Sequence, residues 1–239
     1  MNYNAKLVTR QVIAEDILAF YLEKPKGFEF RAGQFCFLNV PDIGIHDERG
    51  LRRHLSIASS PLEKELLFST KMSTSAFKRT LKEMPIGDII TIEKPLGFFT
   101  LPEDTLTPIA FLAGGIGITP FRSMLRYIVD ANTNHVVTLF YSNREPKEAA
   151  FLKELQDLAD IYKNITVVPT MTRIESPSAN WSGLTGRLSP SMIKDNCKAW
   201  QDALYYIAGP PAMVDSMNEI LKGMNIPPER IKIESFGGY

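Results

Sequence analysis

Cysteine is scarce in this sequence: Cys36 and Cys197 are the only two among 239 residues. An iron-sulfur cluster needs four ligands and no Cys-x-x-Cys pair is present, which excludes a protein-held cluster and a cysteine zinc site. The three histidines, His46, His54 and His135, lack metal-ligand spacing. We therefore predict no metal site, and any redox chemistry must use a bound organic cofactor.

The chain also lacks net charge and long apolar runs. Its 27 basic and 27 acidic residues cancel, which argues against a nucleic-acid partner held by its phosphates. Its apolar runs stop at glycine or proline well short of the roughly 18 to 20 residues that span a bilayer. The first residues do not read as an export signal. These features predict a cytoplasmic protein with reduced thiols and no membrane span.

The first hundred residues read as short strands separated by glycine and proline turns. One helix, predicted from Ser75 to Glu83, interrupts them. This spacing predicts a six-stranded antiparallel Greek-key barrel over residues 1–103. The predicted strands are 6–13, 17–23, 34–40, 52–58, 65–71 and 88–94.

After a polar linker at residues 101–107, apolar strands alternate with amphipathic helices until residue 239. Such alternation produces right-handed crossovers and a parallel sheet covered on both faces. We predict a five-stranded, Rossmann-like nucleotide-binding domain over residues 107–239. Its predicted strands are 109–113, 136–141, 165–170, 204–208 and 231–234, and its helices are 120–129, 148–159, 190–196 and 211–222.

Two glycine-bearing loops should meet if the strand order is 3-2-1-4-5, because the first and fourth strands are then neighbours. GGIGITP follows the first strand and GPPAM follows the fourth. Glycine lets backbone approach a ligand, and amides at a helix start favour a pyrophosphate. A glycine-rich turn alone can simply be needed for close packing of the backbone. Two such loops at neighbouring strand ends favour a dinucleotide-binding site. The predicted coenzyme contacts are Gly115, Gly117, Thr119, Gly209 and Pro210.

Five motifs occur in a fixed order along the chain: Gly33-Gln34-Phe35, Arg53-x-Leu55-Ser56, residues 72–75, the GGIGITP loop with residues 208–211, and Glu234-x-Phe236. In this order they resemble the ferredoxin-NADP reductase superfamily of flavoprotein reductases, over essentially the whole chain. The sequence departs from the family pattern where Leu55 replaces an aromatic residue, Met72 a glycine and Ala208 a cysteine.

The resemblance implies hydride transfer from NAD(P)H to bound FAD, and then electron transfer to a separate protein or small oxidant. It assigns catalytic positions to Ser56, at the hydride-accepting edge of the flavin, and to Phe236, over the ring face. Tyr239 is the alternative residue for covering this face of the flavin ring. The alternative function is an FAD- and nucleotide-binding electron-transfer subunit that is active only within a larger complex. The implied flavin contacts are Arg53, His54, Leu55, Ser56, Lys71, Ser75 and Phe236.

Two choices stay open at this stage. FAD is favoured over FMN because the Ser75 helix with nearby cations suits a pyrophosphate, although Lys78 is expected to be solvated. NADPH and NADH are not separated: residues 142–144 follow the second strand and residues 172–173 the third, and either arginine could meet a 2′-phosphate. A loop at residues 176–183 is expected beside the coenzyme.

Overall fold

A computed structural model describes residues 1–174 and 181–237 of the chain. The loop expected beside the coenzyme therefore lies partly outside the described residues, and Tyr239 lies wholly outside them. In the described ranges, no helix has both the length and the apolar character needed to cross a membrane. The same ranges contain no group of three or more His, Cys, Asp and Glu side chains that could hold a metal ion. Cys36 and Cys197 are buried free thiols.

The N-terminal half forms one antiparallel sheet of six strands, as predicted. The strand order is β4-β3-β6-β1-β2-β5, and every neighbouring pair is antiparallel. The elements are β1 (Asn2–Ala14), β2 (Ile17–Glu23), β3 (Phe35–Asn39), β4 (Arg52–Ser56), β5 (Glu65–Lys71), α1 (Ala76–Glu83) and β6 (Ile89–Glu93).

The two edge strands of this sheet, β4 and β5, approach each other just beyond the end of β4. The Ala58 N–H donates to Leu67 O at 2.7 Å, and the Leu67 N–H donates to Ser59 Oγ at 3.0 Å. Side chains alternate along each strand, so Cys36 and Leu38 on β3 are buried inside. These contacts bend the sheet into a barrel around its own apolar core.

The C-terminal half is a parallel sheet with helices between its strands. Its order, β10-β9-β8-β7-β11-β12, contains the predicted 3-2-1-4-5 arrangement, which is confirmed. The elements are β7 (Ile109–Gly114), α2 (Ile118–Asp130), β8 (Val137–Asn143), α3 (Leu152–Ile161), β9 (Ile165–Met171), β10 (Leu184–Thr185), α4 (Pro190–Asn196), β11 (Leu204–Gly209), α5 (Pro211–Gly223) and β12 (Ile231–Ser235).

The prediction of five parallel strands was one strand short. The additional strand, β10, has two residues, which pair with Thr170 and Met171 of β9. The Thr170 hydroxyl donates to Gly186 O at 2.7 Å and holds this segment at the sheet edge. A strand of two residues is too short to show a hydrophobic pattern in the sequence. It depends on tertiary contacts, which the sequence pattern does not reveal.

The two halves share apolar contacts. Phe99, which follows the barrel, packs against Phe121 of α2 and Tyr206 of β11, with ring centroids 5.7 and 5.2 Å away. The Tyr206 hydroxyl donates to Thr100 O at 2.8 Å. The segment after the barrel is therefore anchored on the parallel sheet. The domain limits, residues 1–103 and 107–239, stay a prediction.

Candidate functional site

The glycine loops after β7 and β11 lie in direct contact at the switch point of the parallel sheet. A Cβ atom on Gly117 would lie 2.3 Å from Ala208 O and 2.7 Å from Gly209 Cα. Gly115 has a φ of +53°, and an added Cβ there would meet nothing within 4 Å. Gly117 therefore permits the close packing of the two loops. Gly115 has no neighbouring atoms where its side chain would be, so a ligand can approach its backbone.

A cavity of about 640 Å³ opens at the carboxyl ends of the parallel strands. Ligands of open α/β sheets bind at this place. Of the predicted coenzyme contacts, Gly115 and Pro210 line the cavity. Thr119 is buried instead, and its hydroxyl donates to Ile116 O at 3.2 Å, so it stabilises the glycine turn.

The segments after β8 and β9 supply polar groups to this cavity. Asn143 is 5% exposed, and neither polar atom of its amide has a hydrogen-bond partner among residues 1–174 and 181–237. Arg144 and Thr172 also line the cavity, as does Arg187, which follows β10. Arg187 was missed by sequence reasoning because it lies on a loop outside the predicted strand ends. Two cations and an unsatisfied amide can bind a polar, anionic ligand.

Strand β4 carries four of the predicted flavin contacts, Arg53, His54, Leu55 and Ser56. Ser56 is 6% exposed, and its hydroxyl has no partner in the described part of the chain. His54 is exposed and lies edge-on to Phe35 and Phe37, with ring centroids 5.6 and 5.7 Å away. Leu55 is packed into the barrel core, so a contact between Leu55 and flavin stays a prediction.

Arg53 is a residue of β4, and its guanidinium carbon lies 5.9 Å from the ring centroid of Phe77 in α1. Its Nη1 donates to the carbonyl oxygens of Arg49 and Arg52, each at 2.6 Å. Its Nη2 is buried without a hydrogen-bond partner among the described residues, 4.0 Å from the Asp47 carboxylate. The guanidinium is thus oriented by backbone and keeps donor capacity for a further acceptor.

The Asp47 carboxylate lies at the start of α1, next to Ser75, which the sequence predicts as a flavin contact. Ser75 is the N-cap residue, but its side chain makes no capping hydrogen bond. Instead, the Ala76 N–H donates to Asp47 Oδ2 at 2.6 Å. This hydrogen bond, together with those from the Arg49 and Gly50 backbone and the charge of Arg53, lowers the pKa of Asp47. A carboxylate therefore already lies at this helix start.

Lys78 is buried, and the prediction that it is solvated was wrong. It is 6% exposed, and its Nζ donates to Lys71 O at 2.7 Å. Burial, followed by the charges of Arg49 and Arg53, lowers the pKa of Lys78 to about 8. The Lys71 side chain is 40% exposed, lies 3.7 Å from Glu148 and lines the cavity. Cations therefore outnumber carboxylates around the start of α1.

Phe236 lies in the cavity that the glycine loops of the parallel sheet share with Lys71 of the barrel. It is buried, it lines the cavity, and its N–H donates to Gly209 O at 3.0 Å. Lys71, the last residue of the barrel strand β5, lines the same cavity. The structure therefore brings Phe236 together with Gly115, Pro210 and Lys71.

Glu234, two residues before Phe236, lies opposite Ala208 in the β11–β12 pair. Its Oε2 is buried and has no hydrogen-bond partner in the described ranges. Burial raises the pKa of Glu234 to about 7. The fold therefore favours the protonated carboxyl group at this position.

We expect Glu234 to make stability depend on pH. A raised folded-state pKa favours folding at low pH, so the free energy of unfolding should fall as pH rises from about 4.5 through 7. The fall should be on the order of 2 kcal/mol, and Glu234→Gln should abolish it. Urea unfolding at pH 5 and pH 8 measures the difference, with exposed Glu229→Gln as the control. The same pH slope in wild type and Glu234→Gln would contradict this assignment.

The sequence and fold of this chain match known oxidoreductases. Residues 111–219 match the family model described as the oxidoreductase NAD-binding domain. The reductase component of propane 2-monooxygenase from Rhodococcus jostii is 28% identical over 245 residues, covering 96% of this chain and 62% of that protein. The chain thus spans less than two thirds of that relative's length.

Two solved structures have the same fold. The cytochrome P450 reductase of Amycolatopsis has a TM-score of 0.83 at 23% identity, over 99% of this chain and 70% of that one. The ferredoxin-NADP⁺ reductase of Neisseria gonorrhoeae, solved with bound FAD and NADP, has a TM-score of 0.79 at 24% identity, over 98% of each chain. These likenesses establish the architecture of the barrel and the sheet together.

The chain therefore combines an antiparallel barrel with a parallel-sheet half that matches the oxidoreductase NAD-binding domain over residues 111–219. The resemblance to the ferredoxin-NADP reductase superfamily that the ordered motifs predicted is matched by the fold of the whole chain and by the family model over residues 111–219.

Proposed function

We propose that this chain is a flavoprotein reductase that transfers hydride from NAD(P)H to FAD and passes electrons to a separate protein or small-molecule acceptor in the cytoplasm. One observation carries the proposal: Ser56 Oγ and Arg53 Nη2, on the same strand, are both buried without hydrogen-bond partners in the described residues. Leaving such a group unsatisfied costs about 1 to 3 kcal/mol. A ligand that supplies both partners relieves that cost.

The charges around α1 fit a phosphate-bearing flavin. Arg53 Nη2 has no hydrogen-bond partner among the described residues, and the charges of Arg49 and Arg53 contribute to the lowered pKa of Lys78. The Ala76 N–H at the start of α1 donates to Asp47, whose carboxylate lies 4.0 Å from Arg53 Nη2. A helix start carries about half a positive charge, which adds to these cations. Several cations suit the pyrophosphate of FAD better than the single phosphate of FMN, so we propose FAD.

The barrel residues would bind the flavin, and the residues of the cavity at the parallel sheet would bind the coenzyme. Bound FAD would supply a two-electron acceptor for hydride. Arg53 and the start of α1 would hold its phosphates, and Ser56 would hydrogen-bond the ring edge. Gly115, Pro210 and Asn143 would orient the coenzyme in the cavity, and Phe236 would exclude water from the ring face. Close alignment of donor and acceptor is what such a site contributes to the rate.

The carboxylate of Asp47 lies where a flavin phosphate would bind, so we expect Asp47→Asn to tighten binding of phosphate-bearing flavins. Neutralising one charge at a helix start is worth about 0.3 to 1 kcal/mol, which predicts about twofold to fivefold higher affinity for FAD and FMN. Riboflavin, which has no phosphate, should bind both proteins equally. Fluorescence titration of the flavin-free protein with each flavin measures this.

Asp42→Asn is the matched control for that experiment, because Asp42 lies on the same loop and is exposed. Its carboxylate lies 3.4 Å from His46 and accepts from the Gly44 N–H at 2.9 Å. This variant should leave all three affinities unchanged. Riboflavin affinity that rises as much as FAD affinity in Asp47→Asn would contradict competition for the phosphate site.

The second candidate function is an electron-transfer subunit that binds FAD and nucleotide but turns over only within a complex. It is favoured by the relative from Rhodococcus jostii, which is named as a component of a larger monooxygenase. Steady-state oxidation of NADPH and NADH by the purified protein, with a dye as acceptor, separates the two. Rapid turnover by the chain alone supports the reductase, whereas a yellow but inert protein supports the subunit.

A further inference from the structure

Arg122 forms a charged connection between the barrel and the nucleotide half. It lies in the first turns of α2, five residues after Gly117, and its side chain is only 7% exposed. The helix that contains it begins where the glycine loop ends. A shift of Arg122 would therefore be transmitted to that loop through the rigid first turns of α2.

The guanidinium group contacts three separate segments. Its Nη1 donates to Ala58 O at 2.8 Å and to Glu63 Oε2 at 3.0 Å, and its Nη2 donates to Glu63 Oε1 at 3.2 Å. Its Nε and Nη2 contact the Glu154 carboxylate of α3 at 3.0 and 2.7 Å. Both carboxylates are therefore bound through two nitrogens, the geometry that best fixes an arginine.

The contacts with Ala58 and Glu63 join the two halves of the chain, whereas the contact with Glu154 stays within the nucleotide half. Ala58 lies two residues beyond Ser56, at the end of the strand that carries the unsatisfied hydroxyl. A parallel contact reinforces this connection: the Ser123 hydroxyl donates to Ser59 O at 2.6 Å. Glu63 is itself fixed, since it accepts from the Ser60 N–H at 2.6 Å.

We infer that Arg122 is a positioning residue that sets the distance and angle between the Ser56 strand and the glycine loop, and so between flavin and nicotinamide. This inference rests on the proposed function. Hydride transfer requires reacting atoms about 3 to 3.5 Å apart, so a small rotation of one half against the other slows the transfer. Arg122 does not line the cavity at the carboxyl ends of the parallel strands, so binding of each ligand separately should survive its alteration.

The test uses Glu63→Gln and Glu154→Gln in the full chain. Both remove one carboxylate from the same arginine, but only Glu63 lies across the junction. The measurement is the rate of flavin bleaching by saturating coenzyme in an anaerobic stopped-flow instrument, together with flavin content, coenzyme Kd and the thermal midpoint. Arg122→Lys, which keeps the charge but loses the bidentate contacts, is a third variant.

We expect Glu63→Gln and Arg122→Lys to slow bleaching about tenfold, with flavin content and coenzyme Kd within twofold of wild type. Glu154→Gln should lower the thermal midpoint but keep the wild-type bleaching rate. Equal slowing in Glu63→Gln and Glu154→Gln, or no slowing in Glu63→Gln, would overturn the positioning role. If wild type takes up flavin but no coenzyme bleaches it, the proposed function fails instead.

Discussion

Replacing Gly117 with alanine is expected to weaken nicotinamide-coenzyme binding by roughly fivefold to more than a hundredfold. The new Cβ would lie 2.3 Å from Ala208 O and 2.6 Å from Ala208 C. Both atoms belong to backbone, so a rotamer change cannot relieve the clash, and the glycine loops after β7 and β11 must separate. Overpacking of this kind costs about 1 to 3 kcal/mol, which corresponds to roughly fivefold to more than a hundredfold in binding.

Coenzyme Kd, measured on the protein by fluorescence titration, checks this expectation. Gly223→Ala is the matched control, because a Cβ on Gly223 at the end of α5 would meet nothing within 4 Å. It should leave the coenzyme Kd unchanged. Wild-type affinity in Gly117→Ala would show that the close approach of the two loops does not shape the coenzyme site.

Replacing Arg53 with alanine is expected to weaken FAD retention by about tenfold to a hundredfold. The unsatisfied Nη2 of Arg53 would hydrogen-bond a flavin phosphate, and a charge-assisted hydrogen bond contributes about 1.5 to 3 kcal/mol. Loss of the side chain also removes its hydrogen bonds to the carbonyls of Arg49 and Arg52, which order the loop that carries Asp47.

The retained flavin after dilution and gel filtration measures this effect. Arg52→Ala is the neighbouring control: Arg52 is half exposed, pairs with Glu93 at 2.7 Å and stacks on Phe37 at 3.6 Å, away from α1. It should release no more flavin than wild type. Unchanged flavin content in Arg53→Ala under dilution would remove Arg53 from the site.

The strand order and the meeting of the glycine loops could be predicted because they follow from local patterns. Continuous apolar strands, each followed by an amphipathic helix, specify a parallel sheet, and right-handed crossovers leave few possible orders. Gly115, Gly117 and Gly209 then come together because two strand ends are neighbours. Here the position of a residue along its strand was enough to locate it in space.

The residues that prediction missed depend on contacts between distant segments. Asp47 is 29 residues before Ala76 in the chain, and its loop has no period that indicates where it will lie. Arg122 reads in sequence as a polar residue on an amphipathic helix, yet three segments bury it. Lys78 looked solvated because a lysine on a short helix usually is. In all three cases the surroundings of the charge are set by contacts between different segments of the chain.

The absorbance spectrum of the purified protein, followed by anaerobic titration with NADPH and with NADH, shows whether the chain binds a flavin that nicotinamide coenzymes reduce. We expect a yellow protein, or one that becomes yellow with added FAD, whose flavin absorbance is bleached stoichiometrically by at least one of the two coenzymes. A colourless protein that takes up no added FAD would contradict this expectation.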